Sequence, residues 1–225
     1  MNKKVVVILS GGLDSSLTAY KMRELGYEIV TLHFSYGQRT EKRELKAFRD
    51  VSESLGVTSK YEIDLPFFQQ IGVGTSALID SGMKLNEDGL GEEIPNSYVP
   101  FRNGIMMSIA TAIVEREDAY GLAIGVVEED SSGYPDCRED FISSFQKSIN
   151  LGTELGENRD IQIFRPLVNL KKSEIVTEAL KLKVPLNLTW SCYQNSEEAC
   201  GVCDSCRLRL NGFKMAESVD PIRYV

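Results

Sequence analysis

Val5-Val6-Val7-Ile8-Leu9-Ser10-Gly11-Gly12-Leu13-Asp14-Ser15-Ser16 is the stretch that decides the fold. Its first five residues are an unbroken aliphatic run, the pattern of a strand covered on both faces. A turn of small residues follows at once. Helical spacing then starts near Asp14 and stops at Gly26. A strand, a glycine turn and a helix in direct succession leave the first N–H groups of the helix open, and their partial positive charge suits an anion. Gly11 and Gly12 let an anion approach the backbone without a Cβ in the way. Ser10, Ser15 and Ser16 add hydroxyl donors. The plain alternative is a glycine–serine helix cap. The position favours a ligand, because open α/β sheets bind at the carboxyl ends of their strands. The turn is neither G-x-x-x-x-G-K-[ST] nor G-x-G-x-x-G.

Working outward, a second strand is predicted over 28–34, a charged amphipathic helix over 38–55 and a third strand over 60–63. This β-α-β-α-β order implies right-handed crossovers and a parallel sheet. Residues 64–100 read as an insertion rich in Gly, Pro, Asn and acidic groups, with a helical piece near 67–79. Further helices are expected over 103–117, 138–151 and 171–182, and strands over 120–125 and 161–164. A short basic helix, 207–214, follows the cysteines. The fold class is α/β: a parallel, doubly wound, Rossmann-like sheet with a small C-terminal segment. The boundary falls near Pro185, giving a larger α/β domain at 1–185 and a small C-terminal segment at 186–225.

The 225 residues hold 33 acidic and 25 basic side chains, a formal charge of −8. A protein that coats nucleic acid needs surplus Lys and Arg, so a small-molecule substrate is expected and direct nucleic-acid binding is not. No apolar run approaches the ~18 residues of a membrane span. The expected compartment is the cytoplasm, with no membrane partner, and a homodimer is left open. A single histidine, His33, rules out multi-histidine metal sites. Inside a strand it reads as a packed core residue.

Cys192, Cys200, Cys203 and Cys206 form C-x7-C-x2-C-x2-C in a chain with only five cysteines. Four soft ligands in tight turns suit tetrahedral Zn²⁺, closed and structural. An iron–sulfur cluster is the sharper alternative, but Leu210 and Asn211 stand where a ferredoxin run wants its fourth Cys and Pro. Reduced, non-ligating thiols are the bland one. Three other stretches lie at expected ligand edges. Arg102 and Asn103 open a helix, where they can bind a base, phosphate or carboxylate, or merely cap it. The loop 125–140 gathers Glu128, Asp130, Tyr134, Asp136, Cys137 and Arg138. It reads as a pocket whose carboxylates meet an amidine-like ring edge, or as a polar loop capping the next helix. Lys171 and Lys172 start another helix against its dipole, which a nearby anion would explain; two solvated lysines are the alternative.

The S-G-G-x-D-S of residues 10–15 resembles the pyrophosphatase-loop ATPases, which hold the outer phosphates of ATP and transfer AMP to an acceptor. With Y-G-Q-R at 36–39, I-P-N-x-x-V-P-x-R-N at 94–103, S-G-Y-P-D-C-R at 132–138 and the cysteine run through Phe213, the chain resembles the 7-cyano-7-deazaguanine synthases along nearly its whole length. The resemblance implies an adenine-nucleotide α-hydrolase-like fold. The implied activity converts 7-carboxy-7-deazaguanine and ammonia, with ATP, to the nitrile that feeds queuosine or archaeosine formation. The implied nucleotide site is Ser10, Gly11, Gly12, Leu13, Asp14, Ser15, Ser16, Arg102 and Asn103, with Asp14 on Mg²⁺. Asp14, Lys172 and Arg102 are the expected catalytic residues. Gln38, Arg39, Glu128, Asp130, Tyr134, Asp136 and Arg138 are expected on the substrate. Leu13 and Phe101 depart from the family's Gln and Gly. The rivals are a relative acting on tRNA or protein, and a zinc-containing nucleotide-binding module without turnover.

Overall fold

In the computed structural model, which describes residues 3–85, 94–127 and 134–225, β1 (Lys4–Ile8) is the central strand. Its neighbours are β2 (Glu28–Ser35) and β4 (Gly121–Ala123), and the edges are β3 (Ser59–Asp64) and β5 (Gln162–Phe164). All pairs are parallel, in the order β3-β2-β1-β4-β5. The strand order reverses between β1 and β4, so a crevice opens there at the carboxyl ends.

Helices cover both faces: α1 (Leu13–Glu24), α2 (Glu41–Leu55), α3 (Phe68–Gly72), α4 (Arg102–Arg116), α5 (Glu139–Leu151), α6 (Glu154–Asn158), α7 (Lys172–Lys181) and α8 (Asp204–Met215). The pleat sends Val6 into one core with Met107 and Val114 of α4 and Ile142 of α5. Val5 and Val7 point the other way, to Leu17 of α1, Phe48 of α2 and Ile175 of α7. This two-sided burial is what the aliphatic run predicts.

Local chemistry moves several expected boundaries. The piece predicted over 67–79 is helical only at Phe68–Gly72, because Gly74 adopts φ +77° and its N–H bonds the Asp80 carboxylate at 2.8 Å. The helix expected from 38 begins at Glu41, after Gly37 at φ +84°. The last helix starts at Asp204 rather than 207, with an acidic residue suited to its first turn. The short α6 escaped the sequence reading; Thr153 caps it by accepting from Gly156 N at 3.1 Å.

The C-terminal segment is docked directly on the glycine turn. Trp190 N donates to Gly11 O at 2.9 Å, and the Thr40 hydroxyl lies 3.1 Å from Cys192 O. Among the described residues, no helix is long and apolar enough to cross a membrane.

Candidate active site

A cleft of about 300 Å³ opens at the carboxyl ends of β1, β2 and β4. One end is the glycine turn. Ser10 and Ser15 hydroxyls lie 3.0 Å apart, and Ser15 Oγ bonds Gly12 O at 3.3 Å. Lys172 Nζ meets both oxygens of Asp14 at 3.0 Å. The anion expected near the lysine pair is therefore Asp14 itself, while Lys171 is exposed. Ser10, Gly12, Leu13, Asp14, Ser15 and Lys172 all line the cleft.

Two residues of the turn do something else. Gly11, at φ +85°, faces the backbone of α2: a Cβ there would sit 2.6 Å from Phe48 N and 2.8 Å from the Ala47 carbonyl carbon. It is glycine for packing, whereas Gly12 borders the open cleft. Ser16 is fully buried outside the cleft lining, and its N–H closes the first helical turn on Gly12 O at 3.0 Å. Gly125, at the end of β4, is a tight spot the sequence did not flag. A Cβ there would stand 3.0 Å from Ser15 N.

The other end of the cleft is more apolar. Arg102 Nη1 donates to the Tyr36 hydroxyl at 2.9 Å, and Ser97 shares a 2.8 Å hydrogen bond with Tyr134. Burial pushes Tyr36 up to about 12, so its proton stays on at neutral pH. Glu44 of α2 also lines this end. Its carboxyl is pushed above the usual range by burial, against hydrogen bonds from Thr40 and Gln38 that favour the charged form. Sequence reading missed Glu44, because one acidic residue on a charged helix carries no signal. His33 lies in the wall, with Nδ1 3.2 Å from Leu9 O and the ring stacked on Phe48 at 5.0 Å. It is the packed residue expected.

Four expected substrate contacts are engaged elsewhere or face away. Gln38 is buried; it accepts from Tyr36 N at 2.8 Å and donates to Phe34 O and Glu44. Arg39 donates to the carbonyls of Asp80 and Met83. Asp136 accepts from Asn103 N at 2.8 Å and Asn103 Nδ2 at 3.2 Å, so it ties down the start of α4, not the helix that follows it. Arg138 is exposed, ahead of α5. None of the four lines the cleft. Backbone polar groups of irregular segments demand partners, and Gln38, Arg39 and Asp136 supply them. Glu128 and Asp130 lie outside the described residues. Cys137 borders the cleft, but burial and the Asp136 charge push its thiol up to about 12. That makes it a poor nucleophile. Phe101, the departure from the family's glycine, has φ +52°, a conformation that glycine adopts at lower cost. Its ring packs on Phe141 and over Gly104, outside the cleft lining.

The Sγ atoms of Cys192, Cys200, Cys203 and Cys206 all lie within 4.8 Å of one another, and Cys200 and Cys206 are 3.9 Å apart. Tetrahedral Zn–S bonds of ~2.3 Å place sulfurs ~3.8 Å apart, so the set fits that ion. The N–H groups of Asn195 and Cys200 point at Cys192 Sγ at 3.2 and 3.3 Å. Trp190, Ser191, Asp204 and Arg209 from the same segment reach the cleft, which spacing alone did not reveal.

A phosphate-type turn at the switch point of a parallel sheet defines a nucleotide-binding α/β protein of the pyrophosphatase-loop kind. Solved structures bear out that fold. A 4-thiouridine synthetase, in complex with RNA and bound ATP, superposes with TM-score 0.57 at 17% identity over 96% of this chain and 50% of that one. The U34-tRNA thiolase NcsA from Methanococcus maripaludis, with its [4Fe-4S] cluster, gives 0.52 at 15% identity over 96% and 71%. The family model of the queuosine biosynthesis protein QueC matches residues 4–217. Proteins named 7-cyano-7-deazaguanine synthase are 57% identical in Sulfurimonas denitrificans, over 100% of this chain and 98% of that relative, and 58% identical in Aliarcobacter butzleri, over 99% and 96%. The chain belongs to the queuosine biosynthesis protein QueC family and is an enzyme of queuosine precursor formation.

Proposed function

We propose that the chain converts 7-carboxy-7-deazaguanine and ammonia, at the expense of ATP, into 7-cyano-7-deazaguanine, working in the cytoplasm. The observation that carries the reading is the joined cleft: the serine–glycine turn with the Asp14–Lys172 pair at one end, and the Arg102–Tyr36 and Tyr134–Ser97 pairs at the other. One end suits a triphosphate and the other a flat heterocycle.

A resonance-stabilised carboxylate resists ammonia. Its oxygen attacks the α-phosphorus, pyrophosphate leaves, and the acyl adenylate is open to nucleophiles. Ammonia displaces AMP to give the amide. The amide oxygen then attacks the α-phosphorus of a second ATP, pyrophosphate and one N–H proton leave, and loss of AMP with the second N–H proton gives the nitrile. In this scheme the open amides near Gly12 and the Ser10 and Ser15 hydroxyls grip the outer phosphates. Lys172 swings from Asp14 to the α-phosphate, and Arg102 faces the acid. Asp14, the half-exposed carboxylate beside the turn, is the residue that would hold Mg²⁺, which offsets phosphate charge. The cysteine set holds Zn²⁺ as a staple for the segment 186–225 appended to the domain 1–185. Sulfurs within 4.8 Å of one another support a single shared ion over a cubane, where each thiolate has its own iron. A thiolating rival would need a reactive thiol, which Cys137 does not offer.

Purified protein given ATP, ammonium and 7-carboxy-7-deazaguanine should yield the nitrile by mass spectrometry, with AMP and pyrophosphate. Nucleotide release that ignores the acid would sink the assignment. Asp14→Ala should cut turnover at least ~100-fold while zinc content and melting stay at wild-type values.

A further inference from the structure

We propose that Ser191 is an additional phosphate ligand, oriented by the buried Arg209, so that the cysteine segment supplies part of the nucleotide site. The proposal rests on the phosphate-loop reading above and adds a residue from the opposite end of the chain.

The space in front of Gly12 has two hydroxyl walls. From the point where a Cβ on Gly12 would stand, Ser10 Oγ is 3.4 Å away, the Trp190 carbonyl oxygen 3.5 Å and Ser191 Oγ 3.8 Å. Both serines line the cleft. Ser191 is held from two sides. The preceding peptide is tied to the turn by the 2.9 Å bond from Trp190 N to Gly11 O. Arg209, which also borders the cleft, donates from Nη1 to Ser191 Oγ at 3.3 Å and to Thr189 Oγ1 at 2.8 Å.

Arg209 is only 1% exposed, and its Nε and Nη2 meet Asp220 at 2.7 and 2.9 Å. The Asp220 carboxylate balances the guanidinium charge, so the pair contributes direction more than net charge. A guanidinium has no acceptor. Ser191 Oγ must therefore be the acceptor in its contact with Arg209, and its own proton turns away from that side. Among the described residues no side chain or backbone group takes that proton. What lies ahead of it is the cleft in front of Gly12. A donor aimed there, beside open helix N–H groups, completes a cage for phosphate oxygens.

The test uses metal-replete wild-type protein and Ser191→Ala, titrated calorimetrically with inorganic pyrophosphate and with AMP. Loss of one hydrogen bond to a charged oxygen should weaken pyrophosphate binding ~10-fold. AMP affinity, melting temperature and zinc per chain should not change. Unchanged pyrophosphate affinity overturns the proposal. So does an equal loss for AMP, or release of zinc, either of which would make Ser191 a structural residue. A wild-type protein that binds AMP but no pyrophosphate removes the phosphate-loop reading itself, and Ser191 with it.

Discussion

The glycine turn at 10–16 and the cysteine run at 192–206 are both short contiguous signatures, yet they keep their shapes by different means. Leu9, Leu13 and Leu17 are buried around the turn among strands and helices from distant parts of the chain. The cysteine run has little such support. Its buried cluster is Ala47, Trp190, Ala199 and the four cysteines themselves. The turn borrows rigidity from the main core, whereas the cysteine run must supply its own through the ion its sulfurs would share. A binding loop can therefore tolerate loss of its ligand, and a staple cannot.

The contrast is broken most severely at the staple. Cys203→Ser should yield zinc-poor protein by elemental analysis and lose roughly 3 kcal/mol or more of stability. A variant that keeps both zinc and melting temperature would refute the ligand assignment and the contrast together. At the turn, the two glycines should separate. Gly11→Ala forces a side chain into φ +85° and against the α2 backbone, costing ~2 kcal/mol or more in denaturant melts. Gly12→Ala has room for its methyl and should melt close to wild type while losing pyrophosphate affinity. Equal destabilisation by both would erase the division between packing and approach.

The mildest effect concerns His33, beneath the turn. Burial holds its imidazole below the ordinary 6.5, against the hydrogen bond to Leu9 O. Below that pH the unfolded chain binds a proton that the folded one resists, so this residue lowers stability as pH falls through 6.5. Replacement by Gln should flatten that part of the stability–pH curve. Parallel curves for the two proteins would show that His33 titrates normally.

The residues that could be read in advance are those whose meaning is local. Val5 to Val7 announce a covered strand, and the cysteine spacing announces a metal. Asp14 and Lys172 were each singled out, though nothing in the sequence says that they meet. Gln38, Arg39 and Asp136 lie outside the cleft lining for one common reason: a polar side chain at a ligand edge is equally useful for satisfying the irregular backbone beside it. Glu44, Ser191 and Arg209 were invisible because their placement depends on segments far away in the chain. Gly11 was given the right residue requirement for the wrong neighbour.

The ion pair between Asp14 and Lys172 spans 158 positions, so it can form only once the chain has been synthesised through α7. A nascent chain that has emerged as far as β3 already displays the whole turn motif, but lacks β4 to seat it and α7 to complete it. Such an intermediate has the signature and no binding site. Nucleotide cannot template the early stages of folding; it can only reward the finished protein.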